Sequence, residues 1–177
     1  MTVDLSTAPS TALSPRPAPT APAPLGVDDL RTLTRSIAAR PELWRPRVRF
    51  QDSGRWWTRL DAPDGVDVWL LTWLPSQGTE LHDHGLSSAA FTIVAGTLTE
   101  LRPDGAGRLV PQDFGTGRTQ TVDPGDLHDV VNVGTEPAVS IHAYSVPLTR
   151  MTYWATTDDG RLVPTRTVET DEPESQA

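Results

Sequence analysis

Two hydrophobic periods divide the chain. Over residues 26–43, "GVDDLRTLTRSIAARPEL", the apolar residues Leu30, Leu33 and Ile37 recur at three- and four-residue intervals. That spacing lines up one face of a helix. Acidic residues open the segment and arginines close it, the arrangement that opposes the helix dipole at each end, and Pro41 follows as a stop signal. The pattern predicts one amphipathic helix. Beyond it the texture changes. "VDVWLLTWL", "AFTIVAG", "TLTELRP", "GRLVPQ", "HDVVNVG", "AVSIHAYSV", "RMTYWATT" and "GRLVPTRT" are short, rich in β-branched and aromatic residues, and separated by Gly, Pro and Asp. "TDDGRLV" has the composition of a tight hairpin. One short N-terminal helical segment and about eight strands predict a mainly β fold, an antiparallel sandwich or barrel.

Neither end of the chain is expected to join that fold. Residues 7–24, "TAPSTALSPRPAPTAPAP", offer little to bury, so residues 1–25 read as a disordered, partly polyproline-like arm. Residues 169–177, "ETDEPESQA", read as an acidic disordered tail. Residues 26–168 remain as one folded domain, and all six tryptophans lie there. The net charge of -8 argues against nucleic acid or an anionic membrane as partner, because either calls for a clustered basic face. With no apolar run of spanning length and no basic-then-apolar leader, the expectation is a soluble, cytoplasmic protein, and a monomer. The chain has no cysteine, which removes disulfides, thiolate ligands and a cysteine nucleophile. His, Asp and Glu are left as metal ligands.

The chain has four histidines, and two of them sit one residue apart in "LHDHG". In a strand, His82 and His84 project from one face and can chelate one ion. The pair alone is weak evidence, but Gly78, His82, His84 and Gly96 fall at the spacing of the first cupin motif, and Pro124, Gly125, His128 and Asn132 in "PGDLHDVVN" resemble the second. That resemblance implies a cupin jelly-roll antiparallel β-barrel with His82, His84 and His128 around one metal ion. The usual cupin glutamate, five residues after the second histidine, is replaced by Ala89. Neutral imidazoles alone leave an ion's charge uncompensated, which favours anionic substrates that coordinate directly. In "AVSIHAYSV", Ser140, His142 and Tyr144 share one strand face, and Val139, Ile141 and Ala143 share the other. A polar row inside a barrel is costly unless its members bond to one another, so a hydrogen-bonded chain is expected, either a structural network or part of a site.

"LHDHG", "GDLHDVVN", "SIHAYS" and "WTRL" together resemble the cysteine dioxygenase family, the thiol dioxygenases of the cupin superfamily, over roughly residues 45–150. The resemblance implies Fe(II) on His82, His84 and His128, an outer triad of Ser140, His142 and Tyr144, and Arg59 as the anchor for the substrate carboxylate, with Arg55 near enough to compete. It implies oxidation of L-cysteine by O2 to the sulfinate. Alternatives are 3-mercaptopropionate or another small thiol as substrate, or a non-catalytic metal-binding cupin. Three positions depart from the family. Ala89 stands where some members carry a cysteine cross-linked to the tyrosine, Trp57 stands where tyrosine is frequent, and Val146 where many have proline.

Overall fold

The helical period becomes α1, Val27–Ala38, with Asp28 and Asp29 in its first turn, Arg35 in its last, and Leu30, Thr34 and Ile37 buried. Pro41 does more than stop it. It is the first residue of a second, four-residue helix, α2 (Pro41–Trp44), where a missing N–H costs nothing, and a 3-10 turn, Arg45–Arg47, follows. These features come from a computed structural model that describes residues 23–173. Residues 1–22 of the arm and 174–177 of the tail lie outside the described residues.

The described residues form eleven strands: β1 (Trp57–Arg59), β2 (Asp67–Trp73), β3 (His82–Asp83), β4 (Ser88–Ala95), β5 (Thr97–Pro103), β6 (Leu109–Gly115), β7 (Thr119–Val122), β8 (Asp129–Val131), β9 (Ala138–Ser145), β10 (Arg150–Thr156) and β11 (Leu162–Glu169). The eight apolar runs correspond to β2, β4, β5, β6 and β8 to β11. The other strands, "WTR", "HD" and "TQTV", are too short or too polar to carry a period of their own. The hairpin between β10 and β11 turns at Gly160, which has φ 82°.

All strand pairs are antiparallel, in a five-stranded sheet of order β1-β2-β9-β4-β7 and two three-stranded sheets, β11-β10-β3 and β6-β5-β8. Isolated bridges His82↔His128 and Gly78↔Val131 stitch the two small sheets together. The jelly-roll expectation therefore holds, but as layered sheets rather than a ladder closed all the way round. The stitch needs glycine: a Cβ on Gly78 would lie 2.9 Å from the Val131 side chain. Gly96, at φ 74°, turns β4 into β5 where a Cβ would lie 2.6 Å from the Pro137 carbonyl.

Alternation along the central strands sorts the core into two layers. Trp69, Leu71, Trp73, Phe91, Ile93 and Tyr144 pack between the sheets with Leu98, Phe114, Val130 and Met151. Val68, Leu70, Val139, Ile141 and Ala143 face the other way, against Leu30 and Ile37 of α1. β9 is thus buried on both faces along its whole length. Its inner face is where Ser140, His142 and Tyr144 project. The Ser145–Val146 peptide that follows is cis.

The ends of the described chain are tied down. The Leu25 amide donates to Ser145 Oγ at 2.9 Å. After β11, the Thr170 amide donates to the Thr149 carbonyl at 3.0 Å, and Pro173 is buried. Among the described residues no helix is long and apolar enough to cross a membrane.

Candidate metal centre and active site

His82 lies on β3, His84 one residue past its end, and His128 just before β8, so the bridge that stitches the sheets also joins the two histidine motifs. His82 Nε2 is 3.0 Å from His84 Nε2, which is 3.5 Å from His128 Nε2. All three rings are buried. Between His82 and His84, Asp83 turns to the opposite side, where it accepts from Trp154 Nε1 and from the Gly85 amide, both at 2.8 Å. Asn132 buttresses the loop after β8, donating to the carbonyls of Trp73 and Glu136.

The partners of the rings decide what faces the centre. His82 Nδ1 is 2.7 Å from the Glu80 carbonyl, which can only accept, so Nδ1 carries the proton and Nε2 presents a lone pair. His128 Nδ1 is 2.9 Å from Glu100 Oε1. Burial pushes the Glu100 carboxyl up, but hydrogen bonds from His128 and Arg102 outweigh it and hold the group below its ordinary range. Ionised Glu100 accepts a hydrogen bond from His128 Nδ1–H, and that Nε2 also presents a lone pair. Burial and then the neighbouring imidazoles hold His82 and His84 well below the usual histidine range, so both stay neutral. His84 Nδ1 has no hydrogen-bond partner among the described residues. Lone pairs aimed at one another inside a protein repel unless a cation lies between them. The ligand atoms fall within 4.8 Å of one another, and the donor set fits a divalent transition-metal ion held through Nε2. Ala89 is buried and pairs across the ladder with Tyr144, so no carboxylate enters from the position that cupins usually fill.

The second group lies on the inner face of β9. Trp73 Nε1 donates to Ser140 Oγ at 2.8 Å, Ser140 Oγ is 2.9 Å from His142 Nε2, and His142 Nδ1 is 3.4 Å from the Tyr144 hydroxyl. An indole only donates. Ser140 therefore accepts from Trp73, and its second lone pair and its own proton let it meet either tautomer of His142 at Nε2. Burial, then the charge of Arg55, hold His142 well below the usual histidine range, so the ring is neutral; with Ser140 as the donor to Nε2, its proton lies on Nδ1, toward the Tyr144 oxygen. In that tautomer Tyr144 accepts, and its phenolic proton is directed elsewhere. Phe91 stacks on His142 at 4.9 Å and 11°, and the rings of Tyr144 and His84 meet edge to face at 5.0 Å. The two histidine groups thus share one cavity, lined by His82, His128, His142 and Tyr144 among others.

Among the described residues that line that cavity, the one cationic side chain is Arg55. It is buried, its guanidinium carbon lies 4.5 Å from the centre of the Trp73 ring, and it lines the cavity beside the histidines. Arg59, the anchor expected from sequence, is half-exposed and does not line the cavity; its Nη2 bonds Asp171 instead. Residues 55, 57 and 59 share a face by alternation, so periodicity alone could not choose between the arginines. The ladder places Arg59 opposite Trp69 and Trp57 opposite Leu71, which brings the preceding residues toward Trp73 and the metal ligands. Three participants had no clear sequence signal. Glu100 looks like one more strand acid, Trp73 like core, and Pro173 belongs to a segment read as a free tail. A buried glutamate in an apolar run, "TLTEL", was the one available hint for Glu100.

Comparison with known proteins agrees with this geometry. Solved structures that share the fold include a conserved Klebsiella pneumoniae protein with a double-stranded β-helix domain (TM-score 0.51, 18% identity, 58% of this chain and 80% of that one). A Thermus thermophilus protein aligns similarly (TM-score 0.51, 16% identity, 58% of this chain and 92% of that one). Among sequences, cysteine dioxygenase type 1 of Danio rerio is 29% identical over 135 residues, 70% of this chain and 67% of that protein. The Rattus norvegicus protein of the same name is 27% identical over 133 residues, 70% of this chain and 66% of that one. The chain thus spans about two thirds of the length of these relatives. The family model for cysteine dioxygenase type I matches residues 21–156, which takes in every histidine of the centre, both arginines and the Ser140–His142–Tyr144 row. The chain belongs to the cysteine dioxygenase type I family.

Proposed function

We propose that the protein is a non-haem Fe(II) thiol dioxygenase whose substrate is a small thiol bearing a carboxylate, L-cysteine in the first instance. The observation that carries this reading is the pairing of an all-imidazole centre, without a protein carboxylate, with a buried arginine and a phenol in the same cavity. When bound on His82, His84 and His128, Fe(II) supplies open positions for a thiolate and for O2, together with the one-electron chemistry that O2 requires. The remaining work falls to side chains. Arg55 takes the role first expected of Arg59: its guanidinium pairs with the substrate carboxylate and sets the distance of the sulfur from the three imidazoles. Tyr144, oriented by the proton on His142 Nδ1, donates its own proton to the reacting oxygen or to the carboxylate. Ser140 and Trp73 hold His142 in that tautomer.

The overall step balances without a further reductant. The thiol sulfur loses four electrons, O2 gains four, both oxygen atoms end on sulfur, and one sulfinic acid forms per O2 consumed. Oxygen uptake by the Fe(II)-loaded protein across cysteine, 3-mercaptopropionate, cysteamine and homocysteine tests this reading. We expect one O2 per thiol and a product heavier by two oxygen atoms. Absence of uptake with every thiol overturns the proposal. Faster turnover of 3-mercaptopropionate than of cysteine assigns the enzyme to that substrate, because the α-amine then contributes nothing.

A further inference from the structure

Pro173 is buried although it follows two exposed acids, Asp171 and Glu172, and it lines the cavity that holds the histidines and Tyr144. The β-ladder ends at Glu169, so no sheet hydrogen bond carries the chain back over the cavity. Two attachments do. The Thr170 amide bonds the Thr149 carbonyl at 3.0 Å, and Arg59 Nη2 bonds both the main-chain oxygen of Asp171, at 2.5 Å, and its carboxylate, at 3.2 Å. Proline suits the position it reaches: an apolar ring with no N–H can cover a cavity without stranding a donor.

The space under it is small. The cavity leaves about 20 Å³ for the centre of a water-sized sphere, and one water occupies about 10–15 Å³ on that measure. The cavity is partly open to solvent, and a substrate with a thiol, an amine and a carboxylate needs more room than this beside the histidines, so the wall that yields most readily governs what is admitted. Most lining residues, such as Trp73, His82, His142 and Met151, belong to paired strands. Pro173 does not, and its clasp is a half-exposed ion pair.

We propose that residues 170–173 form a strap that closes this cavity, that Arg59 is its clasp, and that Pro173 sets the size of thiol admitted. The size role rests on the reading of the cavity as a thiol site, whereas the closing role does not. The histidines provide a direct measure of access, because all four in the chain are buried and three of them, His82, His128 and His142, line this cavity. Carbethoxylation of histidine by diethylpyrocarbonate in the metal-free, full-length protein therefore reports opening. Arg59→Ala, Asp171→Ala and Pro173→Gly should each raise the reaction rate several-fold, the scale of a lost surface ion pair, with the circular dichroism spectrum and melting temperature unchanged. Arg108→Ala, which breaks the surface pair with Asp104, should leave the rate at the wild-type value. Unchanged rates in the three strap variants overturn the strap.

Size selection is read separately, as the ratio of kcat/KM for penicillamine to that for cysteine in the iron-loaded enzyme. Penicillamine adds two methyl groups and keeps every polar group. Pro173→Gly should raise the ratio, and an unchanged ratio overturns the assignment of size choice to Pro173. If the wild-type protein oxidises no thiol while the strap variants still expose their histidines, the proposed activity falls and the strap stands. If thiols are oxidised and neither readout moves, the strap falls and the activity stands.

Discussion

At the scale of single residues, the groups that touch the three clustered imidazoles differ in kind, and the difference has consequences. His82 leans on a neutral carbonyl, whereas His128 leans on the buried carboxylate of Glu100, itself held by Arg102 at 2.8 Å. Glu100 thus supplies, from behind the ring, the negative charge that Ala89 withholds. Glu100→Gln keeps the shape and removes the charge, and metal affinity should fall by about 10–100-fold, measured by competition with a chromophoric chelator. Unchanged affinity would show that Glu100 only orients the ring. The two arginines separate in the same way. Arg55→Gln should lower kcat/KM for cysteine by roughly tenfold to a hundredfold, the loss of a charge-assisted bond worth about 1.5–3 kcal/mol, with a much smaller loss for cysteamine, which has no carboxylate. Arg59→Gln should leave that cysteine-to-cysteamine ratio as it is in the wild type. Equal losses on both thiols in Arg55→Gln would remove it as the carboxylate anchor.

At the scale of elements, β9 is the strand on which the protein turns, because its two faces do different work. Its outer residues receive α1: Leu30 and Ile37 pack on Ile141 and Ala143, and Thr34 accepts from Thr92 at 2.9 Å. Leu30 is fully buried, so Leu30→Ala should destabilise the fold by about 2–5 kcal/mol, read from the denaturation midpoint, while the metal stoichiometry of the folded fraction stays whole. A loss of metal in that fraction would show that the helix shapes the centre through the sheet. On the inner face the register with β4 sets Ala89 against Tyr144. Ala89→Glu introduces a carboxylate from the position that other cupins use for a ligand. The variant should bind iron at least as well as the wild type and lose thiol-dependent oxygen uptake, because the added anion takes a position that the substrate needs. Retained turnover would count against direct thiolate ligation.

At the scale of the whole molecule, burying all four histidines within the fold makes it sensitive to acid. His82, His84 and His142 have folded-state pKa values depressed by burial, so below the ordinary histidine value of 6.5 the unfolded chain binds more protons than the metal-free native one. Stability of the metal-free protein is therefore full above that pH and declines as pH falls through it. Glu100, whose pKa is also depressed in the fold, adds a further loss below 4.5. Urea midpoints should hold between pH 8 and about pH 7 and fall from there to pH 5, and a profile flat down to pH 5 would contradict neutral buried imidazoles. How much of this was legible follows from the range of each interaction. Alternation and periodicity are properties of neighbouring residues. They suffice for α1, for the eight apolar strands, for the two faces of β9 and for the pairing of His82 with His84, because each depends only on which way successive side chains point, whereas His128 joined them through the resemblance of "PGDLHDVVN" to the second cupin motif. They do not suffice for β1, β3 and β7, whose strand state comes from partners distant in sequence, nor for the choice of Arg55 over Arg59, which share a face and differ only in where the cavity lies along it. Nor could they find Glu100 beneath His128, the hydrogen-bond chain from Trp73 through Ser140 to His142, or the return of an acidic tail to lay Pro173 over the site. Those are contacts between segments far apart along the chain, decided when sheet order and register bring the segments together.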